Sequence, residues 1–231
     1  MSKIVYKNHF LLSDDTESVL RGKKQGVSFF NVASSHPEKF DGMEGVTVFK
    51  RVNKPEDACF GALALMDLTD DKIVDAVSEV VLGNGAKLIA AAGYSLDETG
   101  LIDVKFHLSP VQYLHKLGLL EKCTVVGGVY LDRDDVDLMA QCGTSLILCP
   151  TCSMGYGFGI PHFKAYCKKL KVYFGSGDNR FNRNGCMLAE ARTMYLGSNS
   201  DMRSDCSVDL ETLFACFSSH TPPDAEQLLF S

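Results

Sequence analysis

Apolar and polar positions alternate between two regimes along the chain. Short, continuous apolar runs rich in β-branched residues occur at Lys3–His9, Val27–Val32, Val46–Val52, Phe60–Met66, Lys87–Ala92, Thr124–Val129, Ser145–Leu148 and Lys171–Phe174. Strands covered on both faces need such runs, which points to a parallel sheet beneath helices. Between the later runs lie segments with helical spacing and clear ends. Asp70 to Leu82 puts Ile73, Val77, Val80 and Val81 on one face and stops at Gly83-Asn84-Gly85. Ser109-Pro110 starts a second helix that ends at Gly118. Asp132 starts a third, with Asp134 and Asp135 in its positive first turn and Gly143 at its end. Further helices are predicted near Pro161–Lys169, Gly185–Leu196 and Val208–Phe217.

Eight strands alternating with helices predict an α/β fold, a (β/α)₈ TIM-barrel-like domain over residues 1–231. The flank is thin after the second and third runs, where Ala33–Glu44 and Asn53–Cys59 hold a turn or two of helix. An open doubly wound sheet is the alternative. No G-x-G-x-x-G follows a strand, so the sequence offers no dinucleotide fingerprint.

Composition narrows the class. The 231 residues carry 23 Lys and Arg against 29 Asp and Glu, a formal charge of −6 that disfavours nucleic acid as a partner. No stretch has the roughly 18 apolar residues of a membrane span, and the apolar run in MSKIVYKNHF is too short for a signal peptide. Nine scattered cysteines in a chain of this size fit a reduced, cytoplasmic protein better than a disulfide framework.

From Ser109 to Gly197 the pattern becomes specific. SPVQYLHKLGLL, then VVGGVYLDRDDVDLMAQCG, CPTCSMGYGFGIP and FGSGDNR follow one another in order. This order resembles the second half of the amidohydrolase superfamily, in its cytosine, guanine and S-adenosylhomocysteine deaminase-like and chlorohydrolase-like branch. That branch reads S-P…G-L-L, a-H-C-v-h-L…D…L-L…G, h-x-P-x-S-N and l-G-T-D-g. Upstream, KNHFLLSDDTESVLRG resembles the family's first-strand H-x-H segment, and GAKLIAAAGYSLDE its fifth-strand H-x-x-E segment. The resemblance implies a barrel without the family's accessory β-sandwich.

It also implies a site from which the metal ligands have gone. The family binds one or two divalent metals, Zn or Fe, through two histidines on strand one, one each on strands five and six, and an aspartate on strand eight. Carried over, the strand-one pair becomes Lys7 and His9, the strand-five histidine Ala91 or a neighbouring alanine, the strand-six histidine Gly127 and the aspartate Gly177. The proton-shuttling glutamate becomes Tyr94, and Tyr130 replaces a histidine that contacts substrate. One histidine does not hold a metal that must lower the pKa of bound water to about 7.

Other residues supply the remaining candidates. Cys149 and Cys152 form a C-x-x-C at the end of strand seven, readable as a redox pair, half of a soft metal site, or core packing. Ser153, Ser176, Asp178 and Asn179 border the loops after strands seven and eight, where barrels often bind anions. The expectation is a catalytically degenerate homologue with no cofactor, acting as a small-molecule-binding or partner subunit, paired with itself or with an active amidohydrolase. The alternative is a Zn- or Fe-dependent hydrolase or deaminase of C–N bonds, with a site rebuilt from His9, Cys149, Cys152, His162 and Asp178.

Overall fold

The computed structural model describes residues 9–52, 61–64, 69–178, 180–202, 208–218 and 221–230. Eight parallel strands follow one another around a closed barrel. They are β1 His9–Leu12, β2 Phe30–Ser34, β3 Val46–Arg51, β4 Gly61–Ala64, β5 Leu88–Ala92, β6 Cys123–Gly127, β7 Ser145–Leu148 and β8 Val172–Asp178. β1 closes the ring against β8, with a register shift between Phe10 and Leu11. The open-sheet alternative is thereby set aside.

Ten helices are described: α1 Thr16–Lys24, α2 Asp71–Ser78, α3 Leu96–Phe106, α4 Pro110–Lys116, α5 Arg133–Cys142, α6 Pro150–Gly155, α7 Phe163–Cys167, α8 Met187–Met202, α9 Leu210–Ala215 and α10 Ala225–Phe230. Between β2 and β3 there is a single 3₁₀ turn, Pro37–Phe40, in keeping with the thin flank read from the sequence. The punctuation residues act as caps. Ser109 and Gln112 bond reciprocally across the start of α4, and Asp132 and Asp135 do the same for α5. Each such box satisfies two backbone N–H groups that a helix start leaves without partners. Four helices, α1, α3, α6 and α10, are not marked by the apolar pattern, and for the first two the burial shows why. α1 buries only Ser18, Val19 and Gly22. α3 leaves Leu96 and Val104 exposed, so its apolar residues do not mark one face.

Because strand side chains alternate, the barrel has two separate apolar layers. Leu11, Val32, Ala90, Val125, Leu146 and Phe174 point outward and pack beneath the helices, against residues such as Ile102, Leu114 and Met139. Phe10, Ala33, Ile89, Val126, Ile147 and Cys149 point inward and fill the lumen.

His9 belongs to the outer layer, which corrects the reading of it as a strand-one ligand. β1 runs on past His9 to Leu12, with Phe10 and Leu12 on the lumen side, so alternation turns His9 to the other face. The residue is fully buried behind the barrel wall. Its Nε2 lies 2.7 Å from Ser176 Oγ, its Nδ1 faces Met187 Sδ, and its ring tilts against Phe30. Burial lowers its pKa to about 3, so the imidazole is neutral in the folded chain.

That neutrality has a pH signature. Unfolded, His9 takes up a proton near pH 6.5, whereas folded it resists one down to about 3. Its stabilising contribution is therefore complete above pH 6.5 and is lost as pH falls through the window between the two values. Between pH 7.5 and 5.5 the native chain should lose about 1.4 kcal/mol of unfolding free energy that a His9→Gln variant does not lose. Urea titrations of both proteins at the two pH values measure this. Parallel pH dependence would show that His9 is not held neutral.

Candidate functional site

The site lies where the strands end. A cavity of about 310 Å³ opens at the C-terminal mouth of the barrel, the face on which such barrels carry their chemistry. Its floor is the inner apolar layer, with Phe10, Ile89 and Val126 exposed to it. Its wall is made by Leu12 of β1, Ala33 of β2, Arg51 of β3, Ala91 of β5, Gly127 of β6 and Gly177 of β8. The rim is aromatic. Tyr156 stacks on Phe158 with ring centres 5.6 Å apart, and Phe158 meets Tyr94 edge-on at 5.8 Å. Arg51 and Asp178 are the charged residues among those that line the cavity.

Two buried carboxylates hold the loops that shape this mouth. Glu98, on α3, accepts hydrogen bonds from the backbone N–H groups of Gly93 and Tyr94, each at 3.2 Å, and so fixes the turn that presents the Tyr94 ring. Glu190, on α8, accepts from Thr151 N at 2.9 Å, from Thr151 Oγ1 at 2.5 Å and from Asn182 Nδ2 at 2.7 Å. It thereby pins the start of α6 to the loop after β8. Burial pushes both carboxyls up to about 7, against the opposing pull of those donors.

Gly127 and Tyr94 explain each other. Gly127 has φ of +117°, a conformation side chains rarely adopt, and a Cβ there would lie 2.7 Å from Tyr94 Cβ. The space a strand-six side chain would need is occupied by the turn after β5. Gly177 repeats the arrangement, with φ of +60° and Cys152 Sγ 2.9 Å from where its Cβ would be. These glycines are required by the backbone as it stands.

The sequence-derived candidates divide into three groups. Tyr94, Gly127, Cys149, Cys152, Ser153 and Asp178 line the cavity. His9 and Ser176 sit together behind the wall, and Tyr130 turns away to donate to the Phe158 carbonyl at 2.6 Å. His162 is exposed at the start of α7. Lys7 and Asn179 lie outside the described residues. Because β1 is shifted, the inward pair at its end is Phe10 and Leu12, which the sequence reading did not single out. Counting two residues back from the Asp14-Asp15 turn would have found Leu12. Arg51 and the other rim aromatics, Tyr156 and Phe158, were missed as well, since no motif marks them.

Cys149 does stand at the N-terminus of a helix, α6, where a thiolate would gain from the backbone dipole. Burial outweighs that gain: the Cys149 thiol is held well above its usual range and Cys152 is pushed up to about 11. Both favour the unreactive thiol form. The residues present do not fit the family's metal either. Phe10, Leu12, Ala91, Gly127 and Gly177 carry no donor atom, and no group of three or more His, Cys, Asp or Glu among the described residues could hold an ion.

Three measurements check this geometry. Gly127→Ala should lower the unfolding free energy by about 1–3 kcal/mol, since it forces a side chain into a left-handed, occupied position. Glu190→Gln should cost about 1–3 kcal/mol, because its amide N–H₂ must oppose either Thr151 N–H or Asn182 Nδ2. An unchanged midpoint in urea for either variant would contradict the packing described. In native protein at pH 7.5, peptide mapping should find Cys149 and Cys152 alkylated by iodoacetamide at least about ten-fold more slowly than free cysteine.

No protein-family model matches the chain. Among curated proteins, it is similar to the 5-methylthioadenosine/S-adenosylhomocysteine deaminase of Halothermothrix orenii, 32% identical over 111 residues, covering 47% of this chain and 26% of that protein. The enzyme of the same name from Pyrococcus abyssi is 30% identical over 120 residues, covering 51% of this chain and 28% of its own. The match thus spans about a quarter of the length of these relatives. Among solved structures, the fold is similar to guanine deaminase from C. acetobutylicum with bound guanine, with TM-score 0.69, 11% identity, and coverage of 93% of this chain and 61% of that one. It is also similar to a zinc-bound adenosine deaminase from Xanthomonas campestris, with TM-score 0.64, 14% identity, and coverage of 90% and 45%. The solved structures share the barrel fold over about nine-tenths of the chain, and the sequence relatives over about half of it support this chain as a member of the amidohydrolase superfamily, matched over part of its relatives' length.

Proposed function

We propose that this amidohydrolase-like barrel holds a small planar molecule at its mouth and does not hydrolyse it by the metal-dependent route of its relatives. The observation that carries the reading is the chemistry of the wall. Where the resemblance requires imidazoles and a carboxylate, the mouth presents Phe10, Leu12, Ala91, Gly127 and Gly177. These residues do not ligate a metal, but with Ile89 and Val126 they make a dry floor. The rings of Tyr94, Tyr156 and Phe158 stand around that floor. Aromatic contacts of this kind contribute about 0.5–1.5 kcal/mol each beyond the area they bury, which suits a flat ring better than a branched chain. Arg51 and Asp178 then orient the polar edge of the ligand.

A second reading is zinc-dependent deamination of a purine-like compound. It draws on the names of the relatives, deaminases of nucleosides and bases, and on the zinc bound in several of the solved folds. It needs donors from Cys149, Cys152 and Asp178, with the thiols ionised at the metal.

Metal content separates the two. Untagged protein grown with added zinc, iron and manganese should contain well under one metal ion per chain, and should release no ammonia from methylthioadenosine or guanine. Near-stoichiometric metal that disappears in Asp178→Asn would overturn the binding reading and establish a rebuilt hydrolytic centre.

A further inference from the structure

A group of arginines borders the mouth and has no part in the reading above. Asp15, Arg21, Arg180, Arg183 and Asn184 line one open depression, formed by α1 with its N-cap and by the loop that follows β8, at the seam where the barrel closes. Arg21 is fastened in place, with Nε donating to the Arg183 carbonyl at 2.9 Å and Nη2 reaching Asp15 at 3.4 Å. Asp15 is the acid lining the depression, and its oxygens are already engaged. One caps α1 through Glu17 N, and the other takes Ser18 Oγ and Arg21. Arg180 and Arg183 are exposed, and neither forms an ion pair among the described residues.

This arrangement is unusual for the chain that contains it. Acids outnumber bases by six overall, yet three arginines line this depression with one carboxylate, which is fully engaged, and Asp178 stands beside Arg180 at the cavity wall. Like charges drawn together repel, and a bound anion would relieve that repulsion. Guanidinium groups are also the side chains best shaped to grip an oxyanion through paired N–H donors. The depression is joined to the cavity through one residue: the Arg180 guanidinium lies over the Tyr156 ring, 5.4 Å from its centre, and that ring lines the cavity. Arg180 N also donates to Asp178, at the cavity wall, at 2.9 Å.

From this placement we infer that the rim is an oxyanion subsite, and that the ligand is a planar aromatic molecule carrying a phosphate or carboxylate group. The ring occupies the cavity, and the anionic group reaches Arg180 and Arg183, with the Asn184 amide as a further donor. The subsite deepens the binding reading of the preceding section, so its test must be able to fail separately from that reading.

The test uses the intact chain, alone and with the double substitution Arg180→Gln and Arg183→Gln. Both side chains are exposed, so the variant should fold, and its urea midpoint should match that of the parent. Isotope-labelled protein is titrated with inorganic phosphate at low ionic strength while the arginine Nε–H signals are followed. In parallel, calorimetry compares naphthol with naphthyl phosphate. We expect phosphate to shift the Arg180 and Arg183 signals. Naphthyl phosphate should bind at least about ten-fold more tightly than naphthol, with the gap closing in the double variant and narrowing in high salt. Arginine signals unmoved by phosphate, or equal affinity for the two naphthyl compounds, would overturn the subsite while leaving the cavity reading intact. Phosphate bound at the arginines with naphthol excluded would uphold the subsite and overturn the cavity reading.

Discussion

Closure of the barrel is the constraint on which the rest depends. Once β1 pairs with β8 and every strand is parallel to its neighbours, each side chain has one of two fates, lumen or helix layer, and parity along the strand decides which. Phe10 and Leu12 face the lumen because Leu11 packs outward under the helices. The same parity sends His9 and Ser176 behind the wall, where a neutral imidazole and a hydroxyl satisfy each other. The composition of the mouth thus follows from which strand residues the outer core claims.

The loops above the barrel are fixed in a different way, by carboxylates that accept backbone N–H groups. Glu98 and Glu190 act from helices that follow β5 and β8, and both are buried. A carboxyl held near 7 in the fold and at 4.5 when unfolded contributes most stability when protonated, and that contribution is lost as pH rises through 7. His9 has the opposite sign. Between about pH 4.5 and 6.5 the one histidine offsets one of the two carboxyls, so these three groups together still favour the fold less as pH rises across that interval.

Much of the fold could be read from the chain because burial on both faces leaves a direct trace in sequence. The runs at Val46, Lys87, Thr124 and Ser145 fall within a residue or two of β3, β5, β6 and β7. Ser109, Asp132 and Gly143 mark helix ends as capping chemistry requires. The first strand was harder. The predicted run is Lys3–His9, but Lys7-Asn8-His9 divides two apolar stretches, Ile4–Tyr6 and Phe10–Leu12, and the second pairs with β8. At the site, the sequence showed Ala91, Gly127 and Gly177 where the resemblance implies ligands, and Tyr94 beside them. Phe158, Tyr156 and Arg51 were not legible, because they join Tyr94 around one cavity only through the fold. Charge clustering at Arg21, Arg180 and Arg183 was likewise invisible, since the loops that carry them are separated by most of the chain.

The interlock of Gly127 with the Tyr94 turn bears on how such a barrel can change. One substitution could not install an imidazole at the strand-six position: the backbone there adopts a conformation that excludes a side chain, and the adjoining turn fills the room beside it. Any route to a ligand at this point would have to begin with the turn and reach the side chain last, passing through intermediates that gain no metal and lose packing. The interlock therefore works as a ratchet: the order in which the steps must be taken separates this mouth from one that carries a strand-six side chain.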